Sequence, residues 1–224
     1  MNYRSAIANT ISSSNLMFGV LSILATFEGE FKAAAIMIIL AVVADSMDGR
    51  VARALGVSGE FGKELDSLCD VCSFGVAPGV LIYQYALMDL GLTGQLLAAF
   101  FAICGALRLA RFNVNAAVVH GYFVGMPIPA GGCIVATYIL SGYSFPIEIV
   151  AIGTAIVAVI MYSEIKFPDF KGKGNPMYAA PVAISLVAGL YLLYLRPVAW
   201  PFIIMFTYTL AGILNFIYIK ATNK

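Results

Sequence analysis

The 224-residue sequence is poor in charge. Asp, Glu, Lys and Arg together make up 11% of it, where a soluble domain carries about a quarter. That shortage excludes an ordinary water-solvated globule. Neither sign dominates, because the formal net charge is +1, so nothing points to nucleic acid. His120 is the only histidine; it falls in a loop and reads as solvated, not catalytic. Cysteine is sparse as well. Cys69, Cys72, Cys104 and Cys133 all fall in or beside apolar stretches, which excludes a disulfide framework. The Cys69-x-x-Cys72 spacing lacks the second pair or accessible loop of a metal or redox motif, and reads as two thiols on one packed helix. There is no internal repeat and no low-complexity segment. The first apolar stretch has no small-residue cleavage site and is read as a membrane span, not a signal peptide.

What the chain has in quantity is apolar residues: 61% are hydrophobic and the mean hydropathy is +0.92. Charges divide these residues into eight candidate spans. They lie within Ser5–Phe27, from Ala33 through Ala44 to a charged end near Arg53, from Gly62 to Tyr85, and at Gly91–Ala110, Pro127–Leu140, Ile147–Tyr162, Met177–Leu195 and Pro201–Ile219. The fifth and sixth are short, are joined by Ser141–Pro146, and also fit one bent hairpin. The expected fold is all-α: a single integral membrane domain over residues 1–224, built as a polytopic helical bundle of about eight transmembrane helices. Of the 13 Lys and Arg, all but Lys32 and Arg196 fall on one side of this map: Arg4, Arg50, Arg53, Lys63, Arg108, Arg111, Lys166, Lys171, Lys173, Lys220 and Lys224. Cytoplasmic loops carry the basic excess, so both termini are expected in the cytoplasm. Ser163–Asn175, rich in Lys, Gly and Pro, reads as a basic loop near anionic head groups. Tyr191, Tyr194 and Trp200 read as interfacial aromatics.

Half of the 12 acidic residues crowd into one window: Asp45, Asp48, Glu60, Glu64, Asp66 and Asp70. Asp45 and Asp48 are spaced i, i+3 on the second span, and Asp66 and Asp70 i, i+4 on the third, so each pair shares a helix face. The turn between the spans folds them antiparallel, and the two pairs can meet. Four like charges stay ionised together only beside a strong counter-charge. Hard divalent cations take oxygen ligands, and a two-metal site clamps the oxygens of a phosphoryl displacement. Intramembrane carboxylates also mark ion pathways, so a divalent-cation transporter is a rival reading. Gly49 and Ala52 are small enough for a large ligand to approach the backbone, and Arg53 offers a fork that fits phosphate. These favour a diphosphate enzyme. A transporter would move metal into liposomes without any diphosphate substrate and would tolerate Arg53→Ala.

The run Asp45-Ser-Met-Asp48-Gly49-Arg-Val-Ala52-Arg53, followed after eight residues by Gly62-x-x-x-Asp66-x-x-x-Asp70, resembles the D-x-x-D-G-x-x-A-R-(x)8-G-x-x-x-D-x-x-x-D signature of the CDP-alcohol phosphotransferase family at every fixed position. Leu65–Pro78, Cys104–Asn113 and Gly125–Ala130 resemble the phosphatidylserine synthase branch of that family. Met161–Lys171 is a looser match to the branch. Asn9-x-x-Ser12-x-x-Asn15-x-x-x-Gly19 resembles its N-terminal pattern, with Ser12 in place of threonine. The resemblance implies transfer of a phosphatidyl group from a CDP-linked lipid, CDP-diacylglycerol or CDP-archaeol, to L-serine with release of CMP. It implies two divalent ions, Mg²⁺ or Mn²⁺, held by Asp45, Asp48, Asp66 and Asp70, with Asp70 also the general base. It further implies that Gly49, Ala52, Arg53 and Gly62, with Ser58, Gly59 and Asn15, shape the CDP-lipid site, and that the enzyme is a homodimer; the basic excess puts the site at the cytoplasmic face.

Serine carries a carboxylate that needs a cation. Arg108 and Arg111, i, i+3 at the end of the fourth span, are the candidates, because bidentate arginine suits a carboxylate. A sugar-phosphate acceptor would also suit two arginines, so glycerol phosphate or inositol phosphate stands as an alternative acceptor.

Overall fold

A computed structural model describes residues 3–57, 59–115, 122–168 and 177–222. Ser58, His120, Lys171, Lys173 and Lys224 lie outside the described residues, as does the side chain of Arg4. Each candidate span has a helix beneath it: α1 (Tyr3–Phe27), α2 (Phe31–Leu55), α3 (Glu60–Leu90), α4 (Leu92–Asn115), α5 (Ile128–Ser141), α6 (Ile147–Tyr162), α7 (Ala179–Leu195) and α8 (Trp200–Ala221). Four segments, Ser5–Phe27, Glu60–Leu90, Leu92–Asn115 and Pro197–Ala221, are long and apolar enough to cross a membrane. Helices α5, α6 and α7 are apolar but shorter. At 14 residues, α5 reaches about 21 Å, less than the ~30 Å hydrocarbon core. Helix α2 has the length, 25 residues, but carries its carboxylates and arginines within it.

The helices wear their apolar side chains outward. On α1, Ile7, Met17, Val20, Leu21, Leu24 and Phe27 are exposed, while Ala8, Ser12, Asn15, Gly19, Ser22 and Thr26 are buried. The buried set repeats every three or four residues and is small or polar throughout. Opposite it, α2 buries Ala34, Ala35, Ile38, Ala41, Ala44 and Asp48. Lipid tails are as apolar as leucine, so helices associate in a membrane through small residues that let backbones approach and through interhelical hydrogen bonds. Gly19 shows the closeness: a Cβ there would strike Ser73 Oγ and come within 2.8 Å of Ser73 Cα on α3. Ser73 Oγ in turn donates to the Asn15 carbonyl at 2.9 Å. Helix α1 therefore packs along both α2 and α3 and joins them.

Helix α3 is not uniform. It is α-helical to Asp70, π-wound over Val71–Val76, α-helical again over Ala77–Ile82 and π-wound over Tyr83–Leu87. Helix α2 packs closely on α3 only beyond Asp70. Toward the carboxylates the two helices stay apart. π-Turns inside helices concentrate at functional sites, and here the first one begins immediately after Asp70.

The all-α bundle carries one small non-helical element. A two-stranded antiparallel sheet pairs β1 (Tyr122–Val124) with β2 (Lys166–Pro168), with Phe123 opposite Phe167. Lys166 and Phe167 were expected in a basic loop near anionic head groups. Phe167 is instead fully buried, its ring against Gly212 and 5.2 Å from the Tyr208 ring. An aromatic residue between Lys166 and Pro168 alternates inward as a strand residue does. Gly125, at φ +77°, turns the chain from β1 toward α5, where a Cβ would strike the Met161 carbonyl.

Gly19→Ala is expected to destabilise the protein by about 1–3 kcal/mol through overpacking at Ser73. Thermal unfolding in detergent checks this; an unchanged midpoint would show that the α1–α3 contact tolerates a Cβ.

Candidate active site

The i, i+3, i+4, i+7, i+8 spacing of Asp45, Asp48, Gly49, Ala52 and Arg53 sets all five on one stripe of α2. The helix ends at Gly56, whose φ of +67° is the left-handed conformation of a helix stop. The Val57 N–H then donates back to the Ala52 carbonyl at 3.0 Å. Gly59 is extended and leads into α3. The chain has reversed, and Gly62, Asp66 and Asp70 follow on one face of α3.

Carboxylate oxygens of Asp45, Asp48 and Asp66 all lie within 4.8 Å of one another. Asp48 and Asp70 are buried, and Asp45 and Asp66 half-buried. Two donors from α1 reach this group. Ser12 Oγ donates to Asp48 Oδ2 at 2.8 Å, and Asn15 Nδ2 donates to Asp70 Oδ1 at 2.9 Å. Asp66 Oδ1 and Asn15 Oδ1 are buried with no hydrogen-bond partner. Buried acceptors in that position call for a donor or a cation. Oxygen ligands packed this tightly, with an orphaned carboxylate oxygen among them, fit a hard divalent ion.

Above the carboxylates lies a cleft of about 580 Å³. Its walls include Ser12, Asp48, Gly49, Ala52, Arg53, Gly59, Gly62 and Asp66. Most residues expected to hold a CDP-lipid thus share one cavity. The Arg53 guanidinium lies over Gly49, where a Cβ would sit 3.4 Å from Nη1. Asn9 and Lys63 also line the cleft. Asp70 and Asn15 are not on its wall; they sit one helical turn further along their helices. Ser58 lies outside the described residues.

The two candidate serine-binding arginines have different surroundings. Arg108 is buried, its guanidinium 5.0 Å from the Phe112 ring centroid and 5.7 Å from that of Phe123. Its Nε has no hydrogen-bond partner, and its charge is within electrostatic range of Asp70 and Tyr208. Arg111 is half-buried and already satisfied: Nη1 donates to the Tyr162 carbonyl at 2.9 Å, and Nη2 to the carbonyls of Ser163 and Val124 at 2.7 and 3.2 Å. It fastens the end of α6 to β1.

Sequence reasoning did not single out several contributors. Ser12 had been noticed only within the N-terminal pattern, yet it bonds Asp48. Asn113 Nδ2 donates to Ser67 Oγ at 2.7 Å and ties α4 to α3 beside the site. Tyr208, on α8, reaches the Arg108 neighbourhood with no motif to announce it. The Cys69–Cys72 spacing forms no disulfide, and all four cysteines are free thiols.

A family model described as CDP-alcohol phosphatidyltransferase matches residues 5–165. The chain is 33% identical over 218 residues to a CDP-diacylglycerol–serine O-phosphatidyltransferase of Helicobacter pylori, covering 94% of this chain and 91% of that one. It is 41% identical over 172 residues to an archaetidylserine synthase of Methanothermobacter thermautotrophicus, covering 75% and 72% of the two chains. It is likewise 41% identical over 172 residues to a CDP-diacylglycerol–serine O-phosphatidyltransferase of Bacillus subtilis, covering 76% and 93%.

Ser12→Ala and Asn15→Ala remove the two donors from α1. Each is expected to weaken divalent-metal affinity or activity by about 10–100-fold, as loss of such supporting bonds does. Isothermal titration with Mn²⁺ checks this; unchanged affinity and activity in both variants would make α1 a packing element only.

Proposed function

The chain belongs to the CDP-alcohol phosphatidyltransferase family, and from that premise we propose that it moves the phosphatidyl group of a CDP-linked lipid onto the hydroxyl of L-serine. The observation that carries the reading is the carboxylate group, three side chains with oxygens within 4.8 Å of one another, two of which, Asp48 and Asp66, line a cleft walled by Gly49, Ala52, Arg53 and Gly62. The relatives bearing serine-transferase names supply the acceptor. The lipid is a CDP-activated diacylglycerol or archaeol, since both present the same diphosphate to these residues. The family membership sets aside the transport reading.

Asp45, Asp48, Asp66 and Asp70 would hold two divalent ions, Mg²⁺ or Mn²⁺. Bound there, such ions neutralise the diphosphate and the charge that develops in an in-line displacement. The small residues Gly49, Ala52 and Gly62 admit the nucleotide, with Gly59 and Ser58 in the loop over it. Arg53 meets a phosphate as a planar fork. Asp70 takes the proton of the serine hydroxyl. The serine oxygen then bonds to the lipid-side phosphorus, the bond from that phosphorus to the bridging oxygen breaks, and CMP leaves with the bridging oxygen. Asn15 holds the Asp70 carboxylate in one orientation through its amide, so the free oxygen faces the reaction.

The serine subsite lies on the Asp70 side, away from the nucleotide cleft. Arg108 has an unpartnered buried Nε there and meets the serine carboxylate. Arg111 holds the β1 wall of that subsite through its bonds to backbone carbonyls, so the pair divides into a binding and a positioning residue. The cytoplasmic orientation rests on the distribution of Lys and Arg, and the homodimer rests on the family resemblance. Helices α7 and α8 lie beyond the matched segment, yet α8 packs on α5 and brings Tyr208 behind Arg108. The reading therefore treats residues 1–224 as one domain.

Purified protein in detergent, given CDP-diacylglycerol and Mg²⁺ or Mn²⁺, is expected to release CMP only when L-serine is present. Release with glycerol phosphate or inositol phosphate, and none with serine, would overturn the acceptor. Asp70→Asn is expected to abolish turnover while the CDP-lipid still binds in the presence of metal; unchanged turnover would remove Asp70 as the base. Arg108→Gln is expected to raise the KM for serine at least about tenfold, as loss of a charged hydrogen bond does, with the KM for CDP-lipid unmoved. Equal effects on both constants would argue against a serine-specific role.

A further inference from the structure

At the end of the bundle away from the carboxylates, the helices leave a second opening. Asp45 lies 14 residues along α2 from Phe31, about 21 Å at the helical rise. At the Phe31 end, aromatic rings run in contact from Phe31 to Tyr85, Tyr138 and Phe202, with Tyr143 and Phe145 stacked beside them. Helix α6 leans on α4, while α7 pairs with α8 and α8 packs on α5. Between α6 and the α7–α8 pair runs a crevice of about 750 Å³, floored by α5. Its walls are almost wholly apolar and include Val135, Tyr138, Val157, Phe202 and Ile213. Gly153 also lines it, and a Cβ there would meet nothing within 4 Å.

One cation lines the crevice, Arg196, at the C-terminal end of α7. Its guanidinium lies 5.2 Å from the centroid of the Tyr143 ring, and no carboxylate among the described residues pairs with it. Every other arginine or lysine except Lys32 belongs to the opposite side of the span map. An exposed arginine beside an apolar crevice matches a molecule with an anionic head and a hydrocarbon chain. An arginine meets a phosphate as a planar fork of donors, and an apolar crevice open to the bilayer is filled by chain, not water.

We infer that this crevice is a lipid-binding site: it takes one hydrocarbon chain of an anionic phospholipid, whose phosphate meets Arg196 beside Tyr143. The lipid is not the reacting one, because its phosphate lies at the far end of the bundle from the carboxylates. The inference rests on the chain crossing a bilayer and is independent of the transfer reaction.

The test is native mass spectrometry of the full-length protein extracted from vesicles of equimolar phosphatidylglycerol and phosphatidylcholine. The wild type is expected to retain one phospholipid, with phosphatidylglycerol preferred by up to about fivefold, the scale of one exposed ion pair. Arg196→Gln is expected to bind the two lipids equally while releasing CMP at the wild-type rate. Gly153→Leu, which fills the crevice and leaves Arg196 in place, is expected to lose the retained lipid. Circular dichroism and the thermal midpoint confirm that both variants are folded. Equal retention of the two lipids by the wild type, or an unchanged preference in Arg196→Gln, would overturn the head-group contact. Unchanged retention in Gly153→Leu would overturn the crevice as the chain's place. If that variant instead splits a dimer while its lipid stays, a second copy of this chain covers the crevice and the inference fails.

Discussion

Three carboxylates, with a fourth one helical turn further along, have to be held together in a bundle whose solvent is mostly lipid, and much of the architecture answers to that demand. Asp45, Asp48, Asp66 and Asp70 repel one another and are costly to bury. They cannot be brought together by packing α2 directly on the first turns of α3, and those segments remain apart. Helix α1 brings them together instead. Its buried stripe carries a hydroxyl to Asp48 and an amide to Asp70, and at Gly19 it comes close enough to α3 for Ser73 to bond the α1 backbone. The polar stripe of α1 and the separation of α2 from α3 belong to one arrangement. Donors on α1 hold Asp48 and Asp70 in place, and a cleft remains between α2 and the start of α3.

The same economy of polar groups explains the two arginines of α4. Arg111 donates to three backbone carbonyls that the ends of α6 and β1 leave without partners. Arg108, three residues earlier, lies against the rings of Phe112 and Phe123 with Nε unpartnered. A buried guanidinium without a full set of acceptors is poised for an anion. Phe123 lies against Arg108, and Phe167, opposite it across β1 and β2, lies against Tyr208.

The bundle has two openings of opposite character. One is walled by carboxylates, glycines and Arg53, and its chemistry belongs to phosphate. The other is walled by aliphatic and aromatic side chains with Arg196 at its edge. They lie toward opposite ends of the molecule. A polar cleft serving the reaction and an apolar crevice serving a resident lipid can coexist because each opening matches the medium it meets.

The amino-acid sequence by itself determined the elements and the local grouping of the carboxylates. Hydropathy located the eight long helices among the described residues, because burial in lipid is decided over a window of some twenty neighbouring residues. The i, i+3 and i, i+4 spacings put Asp45 with Asp48, and Asp66 with Asp70, because a helix repeats locally. Gly49, Ala52, Arg53 and Gly62 were legible for the same reason, and they share one cleft. What required the tertiary structure were contacts between residues far apart in the chain. Ser12 and Asp48 are 36 residues apart, Asn15 and Asp70 are 55 apart, and Arg111 and Ser163 are 52 apart. No local period encodes such pairs. The same holds for the strand pairing of Phe123 with Phe167, for Tyr208 reaching Arg108, and for the crevice between α6 and α7. Each depends on how finished helices pack, and packing is decided by shape and small residues across interfaces that no single stretch of sequence contains.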